Sequence, residues 1–211
     1  MDFVNLSTEK LIDICLEYGM PPSGFHYKWN EYSKWQIESL IEIGLKPENT
    51  LLDVGCGPLR LGVQAINYLN DDNYCGMDAS PVYCKIASLI ATEAGIKKKY
   101  NVMLNENFQF SLFAKKFDFA IAQSVFTHLS KEQIYLCFTE LKKVMNKGGL
   151  LLFTNIPTDY ARGFLYFGDI PMISGSFCTL DFYKDIAKKF EIEFIEKTVN
   201  HPSQTAHLFK F

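Results

Sequence analysis

The sequence predicts a single α/β domain of the doubly wound type, with a mostly parallel sheet between helices. From about residue 50 to residue 154, apolar segments of strand length alternate with amphipathic segments of helix length. Several strand segments are apolar throughout, which is typical of strands covered on both faces. The last two strand segments follow one another without a helix, which predicts an antiparallel hairpin.

Capping and breaking residues set the helix ends. Ser7 is a suitable N-cap, Ser80 precedes a proline at the first helical position, and Ser130 opens a capping box. The predicted helices span 7–18, 31–43, the segment from the glycine turn to about 69, 80 to about 94, 130 to about 145, and about 180–189, with a loop over 20–30. The predicted strands span 50–54, 73–77, 100–104, 117–122, 150–154, 190–197 and 205–211, with a glycine turn at 148–149 and a long loop over 157–176.

Composition argues against several classes of protein. The chain has 211 residues and a formal net charge of −3, so it lacks the basic surplus of a nucleic-acid-binding protein. It has no apolar stretch long enough for a membrane span and no signal peptide at its start, and its six cysteines form no Cys-x-x-Cys pair. The four histidines are scattered, so no metal site is indicated. We therefore expect a cytoplasmic protein that binds neither membrane nor nucleic acid; its oligomeric state is not indicated.

An acidic residue and two glycines follow the first strand of the predicted sheet. The segment Leu51 to Pro58 delivers Asp53 directly into a turn that contains Gly55, Cys56 and Gly57. Glycines let the backbone approach a ligand closely, and open α/β sheets bind ligands beyond the carboxyl ends of their strands. The segment therefore predicts a cofactor site rather than a plain tight turn.

The residues of this turn favour a cationic nucleoside over a dinucleotide. Arg60 stands where a dinucleotide fingerprint has its third glycine, and the charge of Asp53 opposes a pyrophosphate. S-adenosylmethionine carries a sulfonium and an ammonium group, which suit an acidic turn. Asp78 ends the second strand, where a carboxylate accepts both hydroxyls of a ribose. NAD enzymes share that feature, and on its own Asp78 can also be a helix cap before Ser80.

The segments Asp53-Val-Gly-Cys-Gly57, Gly76-Met-Asp78 and Phe117 to Leu129 resemble the class I S-adenosylmethionine-dependent methyltransferases. They are similar in particular to small bacterial enzymes of glycan and natural-product pathways. The resemblance covers about residues 45–211, which implies a methyltransferase domain there and a helical lid or cap over 1–44. It also implies a Rossmann-like seven-stranded sheet in the order 3-2-1-4-5-7-6 with strand 7 antiparallel. The third glycine of the family motif is replaced by Leu59.

The resemblance implies roles for individual residues. Asp53 acts near the methionine ammonium, the glycines pass under the cofactor, and Asp78 holds the ribose. Two residues after the third strand lie near the adenine, and two at the end of the fourth strand face the methionine. The implied cofactor-binding residues are Asp53, Gly55, Cys56, Gly57, Arg60, Asp78, Ala79, Asn107, Phe108, Gln123 and Ser124.

For several other residues, both a functional and a structural role are compatible with the sequence. Arg60 pairs either with the cofactor carboxylate or an anionic substrate, or it is an ordinary helix-face arginine. His128 is either a general base that accepts a proton from the substrate or a structural histidine. The candidate substrate residues are Tyr27, Tyr160, Arg162 and His201; the alternative is helix packing for Tyr27 and a plain turn histidine for His201.

Methyl transfer from S-adenosylmethionine to an oxygen or nitrogen of a small polar acceptor, with S-adenosylhomocysteine as product, is the predicted function. By family analogy a sugar or nucleotide-activated sugar is the first acceptor to consider. Two alternatives stay open: a non-catalytic module that binds the same cofactor, and an NAD-dependent oxidoreductase. The missing third glycine speaks against the second of these.

Overall fold

The computed structural model describes residues 3–19, 28–155, 164–167, 170–173, 178–201 and 204–211, with the backbone alone at residues 15, 164–167, 170–173 and 197–200. Contacts divide the chain into two compact units, residues 1–106 and 107–211. Residues 1–44, for which we predict a helical cap, belong to the first unit. No helix among the described residues is both long and apolar enough to cross a membrane.

The first unit contains three parallel strands. They are β1 (Leu51–Val54), β2 (Tyr74–Asp78) and β3 (Asn101–Leu104), with β2 in the middle. Its described helices are α1 (Thr8–Glu17), α2 (Trp29–Glu42), α3 (Gly62–Tyr68) and α4 (Pro81–Glu93). The hydroxyls of Ser7 and Ser80 accept N–H groups at the starts of α1 and α4, as the sequence predicts. Helix α2 begins two residues earlier than predicted, because Trp29 is buried in its first turn.

The second unit contains the remaining strands. Its described elements are β4 (Phe117–Ala122), α5 (Lys131–Val144), β5 (Met145–Asn155), β6 (Phe164–Phe167), β7 (Ile170–Ile173), α6 (Leu180–Phe190), β8 (Glu193–Asn200) and β9 (Thr205–Lys210), with 3-10 turns at Phe110–Phe113 and Phe126–His128. Strands β4 and β5 are parallel, and β9 runs antiparallel to both β5 and β8. Thr205, at the start of β9, pairs with Asn155 at the end of β5.

The order of the strands confirms the predicted topology. The seven-stranded sheet runs β3-β2-β1-β4-β5-β9-β8, while β6 and β7 pair with each other in a separate sheet. Counting only the strands of the large sheet, this is the order 3-2-1-4-5-7-6 with an antiparallel seventh strand. The chain is therefore a doubly wound α/β protein with a Rossmann-like sheet.

Two predictions between residues 145 and 177 are wrong. The pair Gly148-Gly149 does not precede β5 but lies inside it, where the partner of β4 shifts from Met145 opposite Phe117 to Leu150 opposite Phe119. This bulge places four residues of β5 (146–149) opposite one residue of β4, which periodicity alone does not reveal. The predicted loop over 157–176 contains the β6–β7 hairpin. Two short apolar runs around a Gly-Asp pair are the hairpin signal that the prediction passed over.

Aromatic side chains form the core of the second unit. Phe153 of β5 lies 4.7 Å from Tyr183 of α6 and 5.2 Å from Phe209 of β9, measured between ring centres. Phe138 of α5 meets Phe209 edge-on at 4.9 Å, and Phe126 packs 5.4 Å from Phe153. All five rings are buried. The high aromatic content of the chain thus serves packing in this unit, since buried aromatic pairs add to the burial of apolar area.

Helix α5 depends on its capping box. The Ser130 hydroxyl accepts the Gln133 N–H at 3.2 Å, and the Gln133 side chain accepts the Ser130 N–H at 2.8 Å. We expect Ser130→Ala to lower the free energy of unfolding by about 1 kcal/mol, because an N–H at the helix start loses its partner. Urea denaturation measures the change. Ser88→Ala, on the exposed face of α4, is the control and should change stability by less than about 0.5 kcal/mol; equal losses would contradict the prediction.

Candidate functional site

Backbone hydrogen bonds connect the turn after β1 to the end of β2. The N–H groups of Gly55 and Cys56 both donate to the Met77 carbonyl, at 2.8 and 3.1 Å. Gly55 and Gly57 have φ angles of +66° and +53°, in the left-handed region that favours glycine. A Cβ built on Gly57 would meet no atom within 4 Å, so this backbone faces open space. The turn therefore leaves room for a ligand directly against the chain.

Asp78 links this turn to the start of α4. Its Oδ2 accepts the Gly57 N–H at 2.8 Å, and its Oδ1 accepts the Ser80 N–H at 2.8 Å. Burial raises the pKa of Asp78, and these backbone N–H groups act in the opposite direction. The Ala79 N–H also hydrogen-bonds to this carboxylate, whose two oxygens together offer about four acceptor sites. Asp78 thus holds the N–H of Ser80, the N-cap residue of α4, and has accepting capacity left for a ligand hydroxyl.

Asp53 is a buried carboxylate beside the turn. Its Oδ2 accepts a hydrogen bond from the Tyr74 hydroxyl at 2.7 Å. Burial raises the pKa of Asp53 to about 7; the Tyr74 bond lowers it, the charge of Asp78 raises it further, and Arg60 lowers it. A positive charge nearby would favour the ionised form of such a carboxyl group. Asp53 therefore fits a cationic ligand, toward which it would act mainly through its charge.

Tyr74 is a partner of Asp53 that the sequence did not reveal. Gly76 pairs opposite Asp53 in the β1–β2 register, and Tyr74 stands two residues earlier on the same face of β2. The Tyr74 hydroxyl lies 3.2 Å from where a Cβ of Gly76 would be and 2.9 Å from where a Cβ of Gly62 would be. These two glycines leave the space that the hydroxyl occupies. The alternation Tyr-Cys-Gly was visible in the sequence, but the position of Gly62 was not.

Leu59, two residues after Gly57, adopts a backbone conformation that is typical of glycine. Its φ angle is +67°, in the region that a glycine favours, and its side chain is fully buried. The left-handed conformation costs a residue with a Cβ about 1–2 kcal/mol. Burial of the leucine side chain offsets a cost of that size. Core packing of the Leu59 side chain therefore offsets the energetic cost of its left-handed backbone conformation.

Arg60 is held by helix α2. The carbon of its guanidinium lies 5.0 Å from the centre of the Tyr32 ring, and the Ser33 hydroxyl donates to the Arg60 carbonyl at 2.6 Å. Burial lowers the pKa of Arg60, while Tyr32 and Asp53 raise it; a guanidinium stays charged. Arg60 is thus a partly buried cation close to Asp53, and not an arginine on an exposed helix face.

In the second unit, a polar cluster lies at the carboxyl ends of β4 and β5. The Ser124 N–H donates to Thr154 Oγ1 at 2.8 Å, and the Thr154 hydroxyl donates to Gln204 Oε1. Ser124 Oγ accepts Nε2 of Gln123 at 2.7 Å and Nε2 of Gln204 at 2.9 Å. The Gln204 N–H donates to His201 Nδ1 at 2.8 Å. The structure thus joins three predicted site residues through two that the sequence did not indicate, Thr154 and Gln204.

The other predicted residues are less connected. His128 ends a 3-10 turn and is exposed, yet burial of its ring lowers its pKa; none of the described residues forms a hydrogen bond with that ring. Asn107 and Ala79 are exposed, and Phe108, at φ +56°, packs 6.0 Å from Phe110. Tyr27, Tyr160 and Arg162 lie outside the described residues. Within the described ranges no three His, Cys, Asp or Glu side chains form a group able to hold a metal ion.

Comparison with known proteins agrees with this architecture. Residues 51–149 match a family model described as a methyltransferase domain. The magnesium protoporphyrin IX methyltransferase of Synechocystis PCC 6803 with bound S-adenosylhomocysteine shares 14% identity over 96% of this chain and 94% of its own, with a TM-score of 0.67. The same enzyme with bound S-adenosylmethionine shares 12% identity over 99% and 98%, with a TM-score of 0.66. An S-adenosylmethionine-dependent methyltransferase of Clostridium acetobutylicum ATCC 824 shares 13% identity over 87% and 92%, with a TM-score of 0.65.

Stability should depend on pH through Asp53. Its pKa of about 7 in the folded chain exceeds the ordinary value of 3.8, so its contribution to stability is fully present below pH 3.8 and is lost as the pH rises through 7. We expect the free energy of unfolding of the ligand-free protein to fall by a few kcal/mol between pH 5 and 8. Asp53→Asn, whose amide oxygen still accepts the Tyr74 bond, should reduce this fall. Urea denaturation across the pH range tests it; identical slopes for both proteins would contradict the assignment.

Proposed function

We propose that this chain is a class I S-adenosylmethionine-dependent methyltransferase. The observation that carries the proposal is the glycine turn tied to Asp78 next to the buried Asp53 carboxylate. The match of residues 51–149 to a methyltransferase domain supports the same proposal, as do the S-adenosylhomocysteine and the S-adenosylmethionine bound to a structurally similar enzyme. When bound, S-adenosylmethionine supplies a methyl group already activated by its sulfonium, which an acceptor takes by in-line displacement.

The residues of the first unit bind and orient the cofactor. Asp53 would provide negative charge for the ammonium group, and the exposed backbone of Gly57 would lie against the cofactor. Asp78 would accept a ribose hydroxyl with its remaining accepting capacity. Arg60, held by Tyr32, would provide positive charge for a carboxylate. These roles are the ones that the family resemblance implies, and the charge and hydrogen-bonding capacity of each group support them. Gly55, Cys56 and Ala79 would complete the contact surface.

The residues of the second unit would serve the methionine end, the adenine and the acceptor. Gln123 and Ser124 are the proposed contacts of the methionine, and Asn107 and Phe108 those of the adenine. His128 would accept the proton of a hydroxyl acceptor, since a lowered pKa keeps its ring neutral at physiological pH. Tyr27, Tyr160, Arg162 and His201 remain the proposed substrate contacts. A sugar or nucleotide-activated sugar as acceptor rests on the resemblance to enzymes of glycan pathways.

Ligand binding tests the proposal directly. We expect the purified chain to bind S-adenosylhomocysteine with a dissociation constant in the micromolar range and to show no binding of NAD, as measured by isothermal titration calorimetry. Asp78→Asn should weaken S-adenosylhomocysteine about tenfold or more, because the carboxylate that accepts a ribose hydroxyl is replaced by an amide. Glu106→Gln, an exposed carboxylate outside the turn, is the matched control. Binding of NAD in preference to S-adenosylhomocysteine would overturn the proposal.

The role of His128 has its own test once an acceptor is found by measuring S-adenosylhomocysteine formation. With a hydroxyl acceptor, we expect His128→Asn to lower kcat by about 100-fold and to leave the affinity for S-adenosylhomocysteine unchanged, since a general base contributes to the chemical step. The acidic limb of the pH profile of kcat should disappear in the variant. An unchanged kcat would assign His128 to structure alone, and absence of turnover with every acceptor would favour a binding module.

A further inference from the structure

Strand β3 lies at one end of the seven-stranded sheet, and none of the described strands pairs with its outer edge. On the inner side, the Asn105 N–H donates to the Asp78 carbonyl of β2 at 2.9 Å. The N–H and C=O groups of alternate strand residues point to opposite edges, so the odd-numbered residues of β3 bond to β2. The N–H and C=O groups of Val102 and Leu104 therefore point to the open edge of the sheet.

The side chains along this edge are apolar and accessible. Leu104 is 52% exposed, and Val102 and Tyr100 are half-buried. These three residues occupy alternate positions, so their side chains lie on one face of the sheet. Charged residues, prolines and bulges protect many edge strands from pairing, and Asn101–Leu104 contain none of them. The strand itself is therefore open to pairing with another chain.

Charges of opposite sign flank the two ends of β3. Three lysines, Lys97–Lys99, precede the strand, and the exposed Glu106 follows it. Lys98 donates to two carbonyls at the end of α3, at 2.8 and 2.7 Å, while the other two lysines are exposed. Asp71 and Asp72, in the turn before β2, lie at the same end as the lysines but are outnumbered by them. The strand therefore has a basic start and an acidic end.

Antiparallel pairing of two copies matches both the hydrogen-bonding groups and the charges. Residues that stand opposite one another in an antiparallel pair point their N–H and C=O groups either both toward the partner strand or both away from it. Val102 placed opposite Val102 of a second copy meets this condition, and Leu104 then stands opposite Tyr100 on the same face. The basic start of each copy lies beside Glu106 of the other. Parallel pairing would instead place the lysines of both copies together.

We propose that the open edge of β3 is a homodimer interface, in which β3 pairs antiparallel with β3 of a second copy of this chain. A two-fold axis at Val102 lets both copies use the same surface, so the assembly closes at two chains. An edge of this length buries less area than a standard protein–protein interface, so the dimer dissociates on dilution. The surface lies outside the cofactor turn, and the inference does not depend on the proposed function.

Sedimentation velocity of the full chain over a range of concentrations measures the association. We expect a monomer–dimer equilibrium with a dissociation constant in the micromolar range. Val102→Pro removes an N–H that points to the open edge and spares the hydrogen bonds to β2, because proline is tolerated where the N–H of an edge strand faces solvent. It should raise the dissociation constant about tenfold or more. Val102→Thr, which keeps the N–H and a β-branched side chain, is the matched control and should dimerise as the native chain does.

Exchange of the flanking charges tests the antiparallel direction. Glu106→Lys should weaken the dimer because lysine would face lysine, and the double variant Lys97→Glu/Lys99→Glu should weaken it because glutamate would face Glu106. An equimolar mixture of the two variants should dimerise again, since both ends of the mixed pair then carry opposite charges. Glu48→Lys, at an exposed position away from β3, is the control for the change in net charge and should leave dimerisation unchanged.

Several outcomes would overturn the proposal. A native chain that is monomeric at every concentration would do so, as would a dimer that Val102→Pro leaves unchanged, because that dimer would use another surface. A mixture of the two charge variants that fails to dimerise while both are folded would exclude the antiparallel pairing. Thermal unfolding identifies any loss of fold in Val102→Pro, in which case the charge variants alone decide. Binding of S-adenosylhomocysteine by a strictly monomeric chain would leave the proposed function intact and overturn only the dimer.

Discussion

Burial of the Asp53 carboxylate against the Tyr74 hydroxyl is the interaction on which the site of the first unit depends. A buried carboxylate is costly, and one hydrogen bond compensates only part of that cost, as its pKa of about 7 indicates. The hydroxyl reaches Asp53 only because Gly76 and Gly62 have no side chains to obstruct it. The hydrogen bonding of the Asp53 carboxylate thus depends on the close packing of β2 and α3.

Asp78 connects two backbone segments through one side chain. Its Oδ2 accepts the Gly57 N–H and its Oδ1 accepts the N–H of Ser80, the N-cap residue of α4, so one side chain fixes both the glycine turn and the approach to the helix. The open space beside Gly57 is maintained by that bond and by the two N–H groups that donate to the Met77 carbonyl. The conformation of the turn is therefore fixed by hydrogen bonds within the chain itself.

The second unit combines an aromatic core with a small polar cluster at one end of its strands. Phe153 packs among the rings, while Thr154, the next residue of β5, points its hydroxyl to the other face and into the cluster. Because side chains alternate between the two faces of a strand, neighbouring residues of β5 lie in the aromatic core and in the polar cluster. Antiparallel return of β9 then supplies Gln204 from a distant part of the chain.

The sequence by itself determined the fold class, the strand order through family resemblance, the helix caps at Ser7, Ser80 and Ser130, and the turn from Asp53 to Gly57 next to Asp78. These features are local or follow a fixed spacing, so residue type and periodicity suffice to indicate them. Only the tertiary structure revealed the bulge in β5, because hydrophobic periodicity does not determine the pairing register of strands. The β6–β7 hairpin was also missed, because its two strands are short and their sequence signal is weak.

The partners of the site residues were also decided by tertiary structure alone. Tyr74 for Asp53, Tyr32 for Arg60 and Gln204 for Ser124 are separated from their partners by 21, 28 and 80 residues. Their side chains meet because strand register and chain return place them together. No property of an individual residue type indicates that a glycine two positions away will leave room for a hydroxyl, or that the last hairpin will reach the end of β4.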